Sequence, residues 1–219
     1  MIKRSAIQII PAILATSEEQ YKNDLAKLSQ SASLTKGWLH IDFADHVFVP
    51  NQTVGMEVIA KFPTEFKKEA HLMVAHPKDW IDQLVKANFE RIIFHIESED
   101  NSLEVIEYIK SKGLEVGLAV SRETTVEKLK PFVGKIDVIL IMTIVAGFQG
   151  QPFIPQTLDK VRRVKSEEWS TRVGVDGAVS DTDAKEIADT GADFMIVGSY
   201  LLKGNVDENL EKLRKEING

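Results

Sequence analysis

The chain has 219 residues, 43% of them apolar and 27% charged, a mix that suits a soluble protein with a substantial core. It contains no cysteine, which excludes disulfides, iron–sulfur clusters and thiol catalysis. A formal net charge of −6 argues against nucleic acid as a partner. Small anions stay open, because one local site can be positive on an acidic protein.

Short apolar, β-branched runs recur along the chain with amphipathic segments between them. The predicted strands cover 6–10, 38–43, 70–74, 91–96, 115–120, 137–142, 172–176 and 194–198. Predicted helices begin near Ser17, Gly55, Pro77, Asn101, Thr125, Pro155, Ser180 and Val206. Ser17 precedes Glu18 and Glu19, and Ser180 precedes Asp181 and Asp183, both patterns that start helices. The opening MIKRSAIQII reads as a first strand reaching Pro11, not as a signal peptide. No apolar run approaches the ~20 residues of a membrane span, so a cytoplasmic protein without membrane contact is expected.

Strict alternation of strand and helix implies parallel strands, because a parallel return needs a crossover. Runs such as DVILIM are apolar on both faces, as a sheet covered by helices requires. Eight such units predict one (β/α)₈ barrel domain, of the TIM-barrel type, over residues 1–219. A doubly wound open sheet is the alternative, but no GxGxxG follows the first strand.

In a parallel barrel the site lies at the carboxyl ends of the strands. His40 and Asp42 are two apart on one predicted strand and share a face. His71 lies on the third strand and Asp176 ends the seventh. Two imidazoles and two carboxylates at one mouth make a ligand set for one divalent cation, with zinc, iron, manganese and cobalt all acceptable. Taken singly, each has an ordinary explanation as a satisfied strand residue or a helix cap; it is their common end of the barrel that points to a metal. Asp45, His46, Asn51, His95 and Glu97 lie on the same rim; His46, His76 and Glu97 are expected in solvated loops. Met73 and Met142 end the third and sixth strands, where core packing is the default. The segment TIVAGFQGQPFIPQ (143–156) is long for a βα loop and reads as a lid. Gly177, Gly198 and Ser199 follow the seventh and eighth strands, where barrels of this type often hold phosphate.

The strings PAIL (11–14), HIDFADHVFVPNQTVG (40–55), HLMV (71–74), MTIVAGFQGQPFIPQTLDKV (142–161), VDG (175–177) and GADFMIVGS (191–199) resemble the ribulose-phosphate 3-epimerase family over nearly the whole chain. The resemblance implies a TIM barrel binding one divalent metal, usually zinc or iron and sometimes manganese or cobalt. It makes His40, Asp42, His71 and Asp176 the metal ligands, with Asp42 and Asp176 also the acid/base pair. Met73 and Met142 match the methionines that lie against the reactive part of the substrate. Gly147, Gly177, Gly198 and Ser199 match its phosphate site, and Phe148, Gly150 and Ala178 complete the substrate-binding set. The implied reaction interconverts D-ribulose 5-phosphate and D-xylulose 5-phosphate, and similar proteins are commonly homo-oligomers.

The pocket departs from the family pattern. Its first-strand Ser is Ala12, and the Met of His-x-Asp-x-Met-Asp is Ala44. The family lid, Asn-Pro-Gly-Phe-Gly-Gly or Asp-Pro-Gly-Phe-x-Gly, is here Val145-Ala146-Gly147-Phe148-Gln149-Gly150, and VDGG is Val175-Asp176-Gly177-Ala178. Loss of Ser at 12 and Met at 44 is expected to enlarge or dry the pocket. Two alternatives follow: a 3-epimerase of another ketose phosphate such as allulose 6-phosphate, or a weakly catalytic sugar-phosphate-binding barrel.

Overall fold

In the computed structural model, which describes residues 7–34, 36–146 and 150–219, eight parallel strands close into a barrel in sequence order. They are β1 (Gln8–Ile13), β2 (Trp38–Ala44), β3 (Lys67–Met73), β4 (Phe89–His95), β5 (Glu115–Val120), β6 (Val138–Met142), β7 (Arg172–Asp176) and β8 (Phe194–Val197). β8 returns to pair with β1, so no strand edge is left open among the described residues. The helices are α1 (Glu18–Ser29), α2 (Met56–Ile59), α3 (Ile81–Lys86), α4 (Ser102–Ser111), α5 (Leu158–Ser166), α6 (Asp181–Asp189), α7 (Ser199–Leu202) and α8 (Val206–Asn218).

Helix starts follow the capping chemistry written in the sequence. Ser17 Oγ accepts from Gln20 N at 3.2 Å, and Asn101 Oδ1 accepts from Leu103 N at 3.0 Å. Ser180 and Asp183 form a capping box on α6. Three crossovers depart from the expected α-helices. Pro77–Trp80 and Pro155–Thr157 are 3₁₀ turns leading into α3 and α5, and after β5 only a 3₁₀ segment, Val126–Phe132, forms. Pro131 lies inside that segment, and its missing N–H and ring clash oppose a continuous α-helix. β1 also differs from expectation. It runs on through Pro11 to Ile13, with Pro11 opposite Val197 and Ala12 opposite His40. One missing donor is cheaper than giving up the pairing on both sides of the strand.

Side chains alternate between two cores. Outward-facing residues such as Ile41, Phe43, Leu72, Phe94, Leu118 and Val175 pack under the helices. Inward-facing Ile10, Ala12, Ile93, Ala119, Val138, Leu140, Met142, Phe194 and Ile196 fill the barrel. That filling is one-sided. Along β2, β3 and β4 the inner face is instead mostly polar: His40, Asp42, Glu69, His71, Arg91 and His95 lie there, all buried, with Ile93 between the last two. Register places these polar residues level with one another: His40 pairs with Glu69, Asp42 with His71, and Met142 with Asp176.

Candidate active site

The four residues read as ligands converge at the carboxyl mouth of the barrel. One donor atom from each of His40, Asp42, His71 and Asp176 lies within 4.8 Å of all the others. Asp42 Oδ1 is 2.9 Å from His71 Nδ1 and 3.3 Å from His40 Nε2. Asp176 Oδ2 is 3.4 Å from His71 Nδ1 and 3.8 Å from His40 Nε2.

The donor set fits a cation. His40 Nε2 is buried and makes no hydrogen bond, while Nδ1 of the same ring is 2.7 Å from Glu69 Oε1. An ionised carboxylate only accepts, so Nδ1 carries a hydrogen and Nε2 is the nitrogen turned toward Asp42 and Asp176, where a cation can take the place of a proton. Glu69 has no exposed surface and takes a second bond, from Arg91 Nη1 at 2.6 Å. Burial opposes its charge, but His40 and Arg91 outweigh burial and hold its pKa below the usual value. This is the outer support that metal-ligating histidines generally have.

The electrostatics of the centre favour positive charge. Burial disfavours a charged His40, yet Asp42 and Glu69 more than offset it and raise its pKa well above the ordinary value. His71 is raised in the same way, against its burial, by Asp176 and Asp42. Asp42 is buried, which opposes ionisation, but His40 and His71 hold its pKa well below normal. A cation placed among these atoms takes over the role those protons play.

Asp42 and Asp176 also line a cavity of about 290 Å³ with Ala12, Met73, Met142, Gly150, Gly177, Ala178, Gly198 and Ser199. The carboxylates, the methionines and most of the substrate-binding residues named from the sequence are therefore gathered in one pocket, and His40 and His71 lie buried beneath it. Gly147 and Phe148, also named as substrate-binding, and Gln149 lie outside the described residues. Ser180, Tyr200 and Lys203 line the cavity as well and were missed; nothing in a lone Ser, Tyr or Lys marks it as a pocket residue before the fold is known.

Two expectations about the pocket change. Ala44 does not line the cavity: it is buried with Val49 and Met73, and Phe48 and Ala146 pack against that cluster. Space left by a smaller side chain at 44 is therefore occupied by neighbours. Glu97 is not a solvated loop residue. Its Oε1 accepts from Ser121 N at 3.0 Å and its Oε2 lies 3.2 Å from His95 Nδ1. Despite desolvation, bonds from His95, Thr124 and Ser121 hold its pKa down to about 2. His95 is wholly buried, and burial lowers its pKa.

The lid's root is fixed to the seventh strand. Thr143 donates from N to Asp176 O at 2.7 Å and from Oγ1 to Gly177 O at 2.5 Å. Gly177 has φ +121, and a Cβ there would fall 2.4 Å from Ile144 Cγ1, so only glycine fits this turn. Asp45, on the same rim, is structural: its carboxylate accepts from Val47, Phe48 and Ala75 N–H groups.

A closed parallel barrel with paired carboxylates and histidines at the carboxyl ends of its strands defines a (β/α)₈ enzyme built around a metal-capable centre. A model of the ribulose-phosphate 3 epimerase family matches residues 8–202. Curated relatives include the ribulose-phosphate 3-epimerase of Chlamydia muridarum, 34% identical over 100% of this chain and 99% of that protein. The cytoplasmic isoform from Oryza sativa subsp. japonica is also 34% identical, over 100% and 98%. The chain belongs to the ribulose-phosphate 3-epimerase family and is an isomerase-class epimerase acting on carbohydrates.

Solved structures repeat the fold. 3-Hexulose-6-phosphate synthase from Salmonella typhimurium superposes with a TM-score of 0.71 at 14% identity, covering 97% of this chain and 99% of that one. 3-Keto-L-gulonate-6-phosphate decarboxylase from Vibrio cholerae gives 0.70 at 12%, with 98% of each chain covered. No helix among the described residues is long and apolar enough to cross a membrane.

Proposed function

We propose that the protein interconverts D-ribulose 5-phosphate and D-xylulose 5-phosphate by proton transfer between two carboxylates. The observation that carries this reading is the convergence of Asp42 and Asp176 on one cavity from strands that are not neighbours. Inverting a carbon beside a ketone requires removing its proton on one face and returning one on the other. One base cannot easily serve both faces, whereas two carboxylates can. Asp42 and Asp176 would exchange roles as acid and base with the direction of reaction. A divalent cation, zinc or iron foremost and manganese or cobalt as substitutes, held by His40, Asp42, His71 and Asp176, would supply Lewis-acid polarisation of the ketone.

Met73 and Met142 offer apolar, polarizable surface against the reacting carbons and keep water from them. Gly177, Ala178, Gly198 and Ser199 would receive the phosphate, with Lys203 adding a positive charge to that lining. Gly150 and the lid residues Gly147 and Phe148 would close over the sugar. The reading includes one domain over residues 1–219, a homo-oligomer and a cytoplasmic setting, the last supported by the isoform name of the rice relative.

A six-carbon ketose phosphate is the second reading, and Ala12 on the cavity wall favours it by leaving room where the family pattern has a polar serine. Incubation of metal-loaded protein with ribulose 5-phosphate in D₂O, followed at C3 by NMR, separates the readings. Deuterium uptake with xylulose 5-phosphate formation is expected; exchange confined to allulose 6-phosphate selects the second, and none on any ketose phosphate refutes both. Asp176→Asn is expected to lower kcat by about 10²–10⁴-fold.

A further inference from the structure

We propose that His95, oriented by Glu97, is a positioning residue that fixes the tautomer of His71, so that His71 Nδ1 presents a lone pair to the centre. The inference rests on the cation-binding role proposed for His40, Asp42, His71 and Asp176. Its own basis is a line of three side chains on the far side of His71. Nε2 of His71 lies 3.0 Å from Nε2 of His95, and both rings are wholly buried. Two nitrogens at that separation share one hydrogen, so one ring donates and the other accepts.

The far end of His95 decides which. His95 Nδ1 is 3.2 Å from Glu97 Oε2, and the other carboxylate oxygen is occupied by Ser121 N–H at 3.0 Å. A carboxylate cannot donate, so Nδ1 of His95 carries the hydrogen. A neutral imidazole has only one, which leaves His95 Nε2 as an acceptor. His71 must then donate from Nε2, which leaves Nδ1, 2.9 Å from Asp42 Oδ1 and 3.4 Å from Asp176 Oδ2, as the nitrogen that gives up its hydrogen when a cation enters. The opposite arrangement would set the His95 Nδ1 lone pair against the Glu97 carboxylate. The line thus moves the conflict between lone pairs from Glu97 to the barrel mouth, where a cation resolves it. His40 reaches the same state by a separate route, through Glu69. In both imidazoles the nitrogen turned away from the centre keeps its hydrogen, so a cation that displaces the proton facing the centre meets the correct lone pair.

The test uses Glu97→Gln, which keeps size and shape. Its single carbonyl oxygen can serve Ser121 N–H only if its NH₂ faces His95 Nδ1, which reverses the direction of the whole line. Zn²⁺ affinity, measured by competition with a chromophoric chelator, is expected to fall about 10–100-fold, with far-UV circular dichroism unchanged. In metal-free protein, at a pH high enough for the His71 ring to be neutral, ¹⁵N spectra are expected to show its hydrogen on Nε2 in the parent and on Nδ1 in the variant. His95→Leu, which removes the acceptor, is expected to weaken Zn²⁺ binding similarly, and His95→Gln, which restores one, to recover most of it. An unchanged His71 tautomer in Glu97→Gln overturns the inference, as does equal loss in His95→Leu and His95→Gln. Failure of the parent chain to bind Zn²⁺ would count against the proposed centre, while the tautomer comparison would still decide the role of His95.

Discussion

Replacing Arg91 with leucine tests the support beneath the site. The Arg91 guanidinium is almost wholly buried, donates to Glu69 Oε2 at 2.6 Å and to Glu115 Oε2 at 2.5 Å, and lies 4.0 Å from the centre of the Trp38 ring. Glu115 is half-exposed, so its share is at most about 1 kcal/mol. Glu69 is different. Without Arg91 its carboxylate stays buried with only His40 for company, and stripping one partner from a buried pair costs about 3–5 kcal/mol. Arg91→Leu is therefore expected to lose roughly 4 kcal/mol in urea unfolding, a fall in Tm of roughly 8–16 °C for a chain of this size. Adding Glu69→Gln removes the stranded charge yet leaves an oxygen to accept from His40 Nδ1. The double variant is expected to be about 2 kcal/mol more stable than Arg91→Leu alone, a coupling that a double-mutant cycle reads directly. A single-variant loss under about 1 kcal/mol, or strictly additive effects, would refute the view that Glu69 and Arg91 act as one buried pair.

Two further outcomes are expected. Glu97 has its pKa lowered in the folded state to about 2 from an ordinary 4.5, so the stability it contributes is fully present above pH 4.5 and is lost as pH falls toward 2. Allowing for partial exposure, that contribution is roughly 2 kcal/mol, and acid titration of stability should show a shallower acid limb in Glu97→Gln than in the parent; identical limbs would contradict it. Ala178 holds φ +54, a conformation that disfavours a Cβ, so Ala178→Gly is expected to leave the fold intact and raise stability by up to about 1 kcal/mol in thermal unfolding, and a lower Tm would count against strain there.

The barrel and its ligand set were legible because both follow short-range rules. Apolar runs alternating with capped helices define parallel strands, and His40 and Asp42, two apart, must share a face. What was hidden depends on neighbours from distant sequence. Lys67-Lys68-Glu69 falls outside the predicted third strand at 70–74, and only the pairing of β3 with β2 and β4 places Glu69 between His40 and Arg91. Glu97 reads as a loop acid until β5 brings Ser121 N–H against it. A period-two reading of charged residues would have found part of this: Glu69 and His71 alternate on β3 as Arg91 and His95 do on β4, all facing inward. The Pro11 misreading has the opposite cause, a local rule overridden by pairing on both flanks.

Glu69 and Arg91 neutralise one another inside the barrel, and His40 and His71 carry no charge when each presents a lone pair. The formal charges then left on the four donor side chains are those of Asp42 and Asp176. A divalent ion cancels both; a monovalent ion leaves a negative charge stranded in the barrel, and a trivalent ion leaves a positive one. The interior therefore discriminates among ions by valence before donor geometry distinguishes one divalent metal from another. Arg91, which touches neither sugar nor ligand atoms, sets that valence.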